Sequence, residues 1–277
     1  MLRYRYHGSR VLTGCFAIAI TVRPGMGLTS EGYPIEVEVF SDPEALSRAA
    51  AVRFADASRE SITSKKTFTV ALSGGYTPKS LYLLLSSDQY SRTIDWPHVH
   101  IFWADERCVP RDDEQSNFKL AFDTFLTKVP VPDENVHGIR GEESPDRGAK
   151  AYEADLREFF GESVLPAFDL ILLGLGQDGH TASIFPGSSA STEQEHLAVA
   201  VPKQPPEPDR ITLTLPVLNN ALRIIFLVSG GAKAHIVKEI LEGPETEGKY
   251  PAGLVHPARG RLTWLLDKAA AALLQKR

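Results

Sequence analysis

The sequence predicts an α/β protein of one domain, built on an open, mostly parallel, doubly wound (Rossmann-like) sheet with helices on both faces. Short apolar or β-branched segments alternate along the chain with longer segments of helical character, and this alternation is typical of parallel sheets covered by helices. Several apolar segments run directly into glycine-rich or charged turns, which right-handed crossovers bring to one edge of the sheet. With 277 residues, of which 43% are hydrophobic, the chain can form one large core.

The first 34 residues are expected to lie outside this domain, which then spans residues 35–277. No acidic residue occurs before Glu31, whereas several arginines do, and residues 11–22 are mostly apolar; together these features resemble a targeting segment. The apolar run is shorter than the roughly 20 residues that a membrane span needs. Residues 1–34 are therefore predicted to be an extension that is disordered or a targeting segment, and a start of translation at Met26 is the favoured alternative.

The first predicted elements are an edge strand, a helix and a buried strand. Residues 35–40 (IEVEVF) alternate apolar and acidic side chains, as an edge strand does. Asp42 followed by Pro43 predicts the capped start of a helix that continues toward Ser61. Residues 67–72 (TFTVAL) are β-branched and apolar and predict a buried strand.

A glycine-rich turn follows that strand and indicates an anion site. It contains Ser73, Gly74, Gly75 and Thr77, and Pro78 then fits the first turn of a helix. Glycines let the backbone approach a ligand, and the free amides of a helix start point at it. A purely structural tight turn would look similar, but it would have less use for the two hydroxyl groups.

Residues 99–104 (VHIFWA) predict the next strand, and residues 116–125 and 146–160 predict two further helices. The strand ends on three consecutive charged residues, Asp105, Glu106 and Arg107. Because ligands bind at the carboxyl ends of strands in open α/β sheets, a functional role for these residues is favoured over a solvated loop.

The segment 168–187 (FDLILLGLGQDGHTASIFPG) contains the main candidates for chemistry. Residues 168–173, apolar apart from Asp169, predict a buried strand. The glycine-rich turn after it brings Asp178 and His180 to the carboxyl edge, where an imidazole can exchange a proton near neutral pH. The alternative is that Asp178 caps a helix and His180 lies on the surface, and this segment alone does not decide between the two.

The last predicted units carry two more cations. A proline-rich loop over residues 201–209 ends at Arg210, where a strand begins. Residues 223–228 (RIIFLV) predict a final buried strand that runs into a third glycine turn, with Lys233 in the first turn of the next helix. A cation there opposes the helix dipole, which indicates an anion beside it. Residues 262–274 predict a short strand and an alanine-rich closing helix.

A dinucleotide site is discounted although Gly174, Gly176 and Gly179 match GxGxxG. That fingerprint requires a long helix after the third glycine, whereas Pro186 and Gly187 interrupt any helix here.

Other function classes are disfavoured by composition. The net charge of -5 argues against a non-specific nucleic-acid binder. The two cysteines lack CxxC or zinc spacing, so neither a disulfide framework nor a metal site is expected. A reducing intracellular compartment is expected instead. His98 and His100 alternate along a strand but have no third metal ligand within reach by sequence.

Five segments together resemble the 6-phosphogluconolactonase family, which shares its fold with glucosamine-6-phosphate deaminase. They follow the family's order from about residue 37 to about residue 274, and five linked motifs are far more specific than one. The segments are SGGYTP at 73–78, WADERCVP at 103–110 with SN at 116–117, LGLGQDGHTASIFPG at 173–187, RITLTLPVLN at 210–219 and SGGAKA at 229–234. In the deaminase a glutamate precedes the proline of the third segment; Phe185 stands here, so the lactonase is preferred.

The resemblance implies hydrolysis of 6-phospho-D-glucono-1,5-lactone to 6-phospho-D-gluconate, the second step of the oxidative pentose phosphate pathway. It implies no metal and no cofactor, and we expect a cytoplasmic monomer or homodimer with no nucleic-acid or membrane partner. The expected catalytic residues are His180 as the base, Asp178 as its partner or as a ligand of sugar hydroxyls, and Arg107, with glycine-turn amides as the alternative, as the oxyanion donor. The sequence does not decide which cation contacts the phosphate and which contacts the lactone carbonyl. The expected substrate and phosphate ligands are Ser73, Gly74, Gly75, Thr77, Asp105, Glu106, Arg210 and Lys233.

Two alternatives stay open on sequence grounds. A sugar-phosphate isomerase or deaminase on the same fold would release ammonia from glucosamine 6-phosphate. A sugar-phosphate-binding regulator would keep the pocket without catalysis. Binding alone does not require Asp178 and His180, however, and the sequence contains no evident helix-turn-helix or basic stripe.

Overall fold

The computed structural model describes residues 5–7, 18–22, 35–243 and 249–275. The strands are β1 (Arg5–His7), β2 (Ile18–Val22), β3 (Ile35–Phe40), β4 (Phe68–Leu72), β5 (Val99–Trp103), β6 (Asp105–Arg107), β7 (Leu170–Leu173), β8 (Ala198–Val201), β9 (Arg210–Leu213), β10 (Arg223–Val228) and β11 (Arg261–Asp267). The helices are α1 (Pro43–Lys65), α2 (Tyr76–Leu85), α3 (Asp88–Ser91), α4 (Asn117–Thr124), α5 (Pro145–Phe160), α6 (Leu215–Asn219) and α7 (Ala234–Glu242). None of the helices in these ranges combines the length and apolar character that crossing a membrane requires.

The predicted fold class is confirmed by the main sheet. Six strands in the described part of the chain run parallel, in the spatial order β3-β11-β10-β7-β4-β5. The central strands β4 and β7 are buried along their whole length, which explains why their sequences are continuously apolar rather than alternating. Because the strands are parallel, the turns that follow β4, β7 and β10 meet at one edge of the sheet.

Helix α1 begins as the sequence predicts and continues beyond Ser61 to Lys65. The Asp42 carboxylate accepts a hydrogen bond from the backbone N–H of Ala45 at 2.8 Å, which satisfies one of the unpaired amides of the first turn. Lys66 ends the helix in the left-handed conformation, with φ 64°. The alanine-rich face is buried, so the helix packs closely against the sheet.

The alternation of residues 35–40 predicts an edge strand, but strand β3 lies between β2 and β11 and is not at the edge. Strand β2 pairs with it antiparallel, from Val22 opposite Ile35 to Ile18 opposite Val39, and β1 pairs with β2. Two short pieces of the N-terminal extension thus add to the sheet. The rest of that extension, Met26 included, lies outside the described residues, and the predicted boundary at residue 35 stays a prediction.

The predicted closing helix is wrong. Strand β11 ends at Asp267, and residues 268–274 form turns. The Ala271 amide reaches back four residues to the Asp267 carbonyl, but the Ala272 and Leu274 amides reach back only three. The Asp267 side chain also takes the Ala270 amide at 2.7 Å, so no regular helical ladder develops.

The charged residues after β5 belong to a second sheet rather than to a loop. Strand β6 pairs antiparallel with β9, which pairs antiparallel with β8. In this register Asp105 lies opposite Thr212, and Arg107 lies opposite Arg210. The small sheet therefore sets two arginines side by side, next to the carboxyl edge of the main sheet.

Candidate active site

Asp178 and His180 form a hydrogen-bonded pair in the turn after β7. The His180 Nδ1 atom lies 2.5 Å from Asp178 Oδ1, and the backbone N–H of His180 donates to the same oxygen at 3.1 Å. A carboxylate on Nδ1 places the proton there and leaves Nε2 as the basic nitrogen. About one third of the His180 side chain is exposed, 32%, so the imidazole remains accessible from solvent.

Gly176 is the residue that allows this pair to fold back on its own turn. A β-carbon at this position would lie 2.1 Å from His180 Nδ1 and 2.5 Å from Asp178 Oδ1. The Gly176 amide donates to the His180 carbonyl oxygen at 2.8 Å, which closes the turn. Residues 174–188 contain no helix, so the local structure that a GxGxxG dinucleotide site requires is missing there.

Two opposing influences set the ionisation of Asp178. Burial raises the pKa of its carboxyl group, but the hydrogen bonds from the His180 backbone and ring, together with the ring's charge, bring the pKa below the usual 3.8. Lys233 lies near enough to Asp178 for the charge of this carboxylate to affect the pKa of the lysine. Burial lowers the pKa of Lys233, and Asp178 partly offsets that effect.

One side of the His180 ring is covered by Phe185, with ring centroids 4.5 Å apart. The Lys203 ammonium lies 3.8 Å from the Phe185 centroid, within the range of a cation–π interaction. Lys203 also pairs with Glu207 at 3.0 Å. The proline-rich loop therefore reaches the wall of the site, and we did not predict this contact because nothing in the sequence indicates where such a loop folds.

The first and third glycine turns meet side by side. The Thr77 and Ser229 hydroxyl oxygens are 2.8 Å apart and join the two turns. Gly75 precedes α2 with φ +105°, and Gly230 has φ +93°, a backbone region that glycine tolerates best. No heavy atom lies within 4 Å of a β-carbon built on Gly230, so open space adjoins this backbone.

Arg107 and Arg210 form a cross-strand pair of like charges. Burial, followed by the charge of Arg107, lowers the pKa of Arg210, whereas Asp105 acts in the opposite direction. The Arg107 guanidinium donates to the Gln115 carbonyl at 2.5 Å, and the Arg210 guanidinium donates to the Pro208 carbonyl at 2.7 Å. Like charges directly opposite on paired strands destabilise a sheet, so this arrangement favours binding of an anion.

Three of the predicted site residues, Ser73, Asp105 and Glu106, are buried, and their side chains form hydrogen bonds within the protein. Ser73 donates to the Leu172 carbonyl oxygen at 2.8 Å. Asp105 accepts from the Ser183 hydroxyl at 2.7 Å. Glu106 is only 2% exposed and lies under the start of α4.

Gly74, also a predicted ligand, packs against Asn117. A β-carbon on Gly74 would lie 1.8 Å from Asn117 Oδ1, so glycine leaves the space that this side chain occupies.

The Glu106 carboxylate satisfies the first turn of α4. The two Glu106 oxygens accept hydrogen bonds from the backbone N–H groups of Arg107, Asn117 and Phe118, each at 2.7 Å. They also accept one from the Ser116 hydroxyl at 3.1 Å. Burial raises the pKa of Glu106, and the three backbone hydrogen bonds oppose that rise. Residues of α4 are thereby tied to the strand that carries Arg107.

We therefore expect Glu106→Gln to affect stability rather than substrate binding. Glutamine has one acceptor oxygen, so its NH₂ group would face a backbone N–H of Asn117 or Phe118, and a buried unsatisfied group costs about 1–3 kcal/mol. The melting temperature should fall, while any KM of the folded protein for the lactone that the resemblance implies stays near the wild-type value. A raised KM with an unchanged melting temperature would instead assign Glu106 to the substrate.

Two features nearby do not coincide with the predicted residues. A groove of about 420 Å³ opens beside the proline-rich loop; Lys203 and Glu207 line it, but no predicted site residue does. Burial raises the pKa of the Cys108 thiol, which also lines it, to about 12, so this thiol is not a nucleophile at neutral pH. Among the described residues, no three His, Cys, Asp or Glu side chains are grouped so that they could hold a metal ion.

The comparisons with known proteins agree on one family. The family model for glucosamine-6-phosphate isomerases/6-phosphogluconolactonase matches residues 41–264. The chain is 40% identical over 247 residues to 6-phosphogluconolactonase 3, chloroplastic, of Arabidopsis thaliana. That alignment covers 86% of this chain and 75% of the relative. The chain is also 38% identical over 238 residues to the 6-phosphogluconolactonase of Synechocystis, in an alignment that covers 85% of this chain and 96% of the relative.

Solved structures support the same relationship. The 6-phosphogluconolactonase from Trypanosoma cruzi has a TM-score of 0.79 at 29% identity, and the superposition covers 91% of this chain and 100% of the Trypanosoma chain. A monomeric glucosamine-6-phosphate deaminase, at 24% identity with a TM-score of 0.72, shares the fold. The predicted family resemblance is thus confirmed. The chain belongs to the glucosamine-6-phosphate isomerase/6-phosphogluconolactonase family.

Proposed function

We propose that this protein hydrolyses 6-phospho-D-glucono-1,5-lactone to 6-phospho-D-gluconate in the oxidative pentose phosphate pathway. The observation that carries the proposal is the Asp178–His180 pair, with Nδ1 bound by the carboxylate and Nε2 left as the base. The cations and glycine turns around the pair suit an anionic substrate. The names of the Arabidopsis and Synechocystis relatives specify the lactone.

In the proposed mechanism His180 Nε2 takes a proton from water as the water oxygen attacks the lactone carbonyl. The carbonyl carbon becomes tetrahedral, and its oxyanion is stabilised by Arg107 and by turn amides. Collapse then breaks the bond to the ring oxygen, and His180 returns the proton to that leaving oxygen. Asp178 keeps the imidazole in the required tautomer and stabilises the imidazolium. No step of this scheme uses a metal or a cofactor.

We assign the substrate phosphate to the cleft between the two glycine turns. Thr77 and the Gly75 backbone would contact it from one side, and Lys233 from the other, with Arg210 supplying further charge. Support comes from the Thr77–Ser229 contact of 2.8 Å and from the lowered pKa of Lys233, because an incoming phosphate would restore favourable charge around that ammonium group. We assign Ser73, Gly74, Asp105 and Glu106 to the support of the site rather than to ligand contact.

Lys233→Met should raise the KM for the phosphorylated lactone by at least about tenfold, since a hydrogen bond to a charged group contributes about 1.5–3 kcal/mol. The kcat should change little, because the ammonium group would bind the phosphate equally in the ground and transition states. Steady-state kinetics with Lys233→Arg as the charge-conserving control checks this. A fall in kcat at constant KM would move Lys233 to the reacting carbonyl.

The function itself is tested by generating the lactone in place from glucose 6-phosphate with its dehydrogenase and NADP. A second coupled dehydrogenase then follows 6-phospho-D-gluconate, and the signal is acceleration over spontaneous ring opening. We expect strong acceleration by the wild type and a return to background with heat-denatured protein. No acceleration by a folded wild type would reject the proposal, and ammonia release from glucosamine 6-phosphate would then be the next assay.

The cellular location stays a prediction. The cysteine content favours a reducing compartment, and we propose the cytoplasm. The Arabidopsis relative is named as chloroplastic, which keeps a targeting role for residues 1–34 as the alternative. A fluorescent fusion of the full chain, compared with one that starts at Met26, distinguishes the two locations.

A further inference from the structure

The Asp267 carboxylate is a buried charge at the same edge of the sheet, and the site described above does not use it. Asp267 is the last residue of β11 and is 3% exposed. Its two oxygens lie 3.1 and 3.0 Å from the backbone nitrogen of Gly230, and Oδ1 accepts the Ala270 amide at 2.7 Å. Burying a carboxylate is unfavourable unless its oxygens are hydrogen-bonded, and here backbone amides are the donors.

Gly230 links this carboxylate to Lys233. The Gly230 N–H is held by Asp267, and the Gly230 carbonyl oxygen accepts the backbone N–H of Lys233 at 3.0 Å. The Gly230 residue is therefore fixed at both of its polar groups, in the positive-φ conformation of +93°. Ser229, one residue earlier, meets Thr77 of the other glycine turn.

We infer that Asp267 is a positioning residue for the phosphate site: it holds the Gly230 turn so that Lys233 and Ser229 face the ligand together. The inference rests on the proposed function, in which this turn binds the substrate phosphate. Only a carboxylate offers an acceptor to the Gly230 amide from both of its oxygens. With any other side chain the Gly230 N–H loses at least one of these two acceptors, and the turn that carries Lys233, just before α7, is held less firmly to β11.

Asp267→Asn is the informative variant because asparagine has nearly the same shape. Its oxygen in the Oδ1 position can still accept the Ala270 amide and lies 3.1 Å from the Gly230 nitrogen. Its NH₂ group replaces the second acceptor, Oδ2, and there faces the Gly230 N–H, donor against donor. We expect the KM for the phosphorylated lactone to rise about 5- to 10-fold, as for loss of one hydrogen bond, with kcat nearly unchanged. Activity on unphosphorylated glucono-1,5-lactone, measured as kcat/KM, should stay at the wild-type level.

Asp169→Asn is the matched control. Asp169 is also a buried aspartate, 1% exposed, but it precedes β7 at the opposite edge of the main sheet. It accepts the Thr69 backbone and hydroxyl groups and pairs with Lys65 at 3.0 Å. This variant should lose stability without a change in KM, so it separates general destabilisation from positioning of the phosphate turn.

Stabilisation by inorganic phosphate provides a readout that does not depend on activity. We expect phosphate to raise the melting temperature of the wild type and of Asp169→Asn, and to raise that of Asp267→Asn much less. Equal phosphate shifts and an unchanged KM in Asp267→Asn would overturn the inference, as would equal KM increases in both variants. If the wild type does not hydrolyse the lactone, the proposed function fails, and the phosphate shifts still decide whether Asp267 orders an anion site.

Discussion

Replacing His180 with alanine should lower kcat by about 10²- to 10⁴-fold, the usual contribution of a general base, and should leave the KM within a few fold. The imidazole is the group that would remove the proton from water. The phosphate ligands lie on other turns, so substrate binding should persist. The coupled lactone assay measures both constants, provided that the spontaneous opening rate is subtracted.

The fold of this variant should be unaffected. His180 is partly exposed, and its backbone amide and carbonyl bonds to Asp178 and Gly176 do not involve the ring. The melting temperature and the phosphate-induced stabilisation should therefore match the wild type. Asp178→Asn should also lower kcat, because the base remains but its tautomer is no longer fixed. A His180→Ala protein that keeps most of its activity would remove the base from the mechanism.

The main sheet could be predicted because its strands are encoded locally. Buried parallel strands such as β4 and β10 read as short apolar runs, and a glycine turn directly follows each of them. Strand β6 could not be predicted. It consists of three charged residues, Asp105 to Arg107, and it becomes a strand only through pairing with β9, more than a hundred residues later in the chain.

The candidate site shows the same limit. The sequence predicts which turns carry acids, bases and cations, because those residues lie next to the ends of strands. It does not predict which way a side chain faces. Glu106 lies beside Arg107 in the chain, yet its carboxylate points under α4, and that direction depends on packing of the helix against β6. The contribution of Asp267 was likewise missed, since its partner Gly230 lies 37 residues away.

Gly176→Ala should reduce kcat nearly as much as His180→Ala, although it removes no catalytic group. The φ angle of Gly176 lies outside the positive range that excludes alanine, so the backbone itself accepts the change. The new methyl group would instead lie 2.1 Å from His180 Nδ1 and 2.5 Å from Asp178 Oδ1. Since no contact of that length can persist, we expect the imidazole to move away from the carboxylate and from the attacking water. Overpacking of this kind costs about 1–3 kcal/mol, which a melting curve would detect.

Gly174→Ala provides the matched control, because it makes the same change two residues earlier in the same turn. A β-carbon on Gly174 has no heavy atom within 4 Å, so kcat, KM and melting temperature should stay at wild-type values. The difference between the two variants isolates the Asp178–His180 geometry from any general effect of stiffening the turn. Wild-type activity in both variants would show that hydrolysis does not depend on the Asp178–His180 geometry, and the base would have to be sought elsewhere. A loss in Gly176→Ala alone would show that the second glycine of the GxGxxG pattern serves the imidazole rather than a dinucleotide.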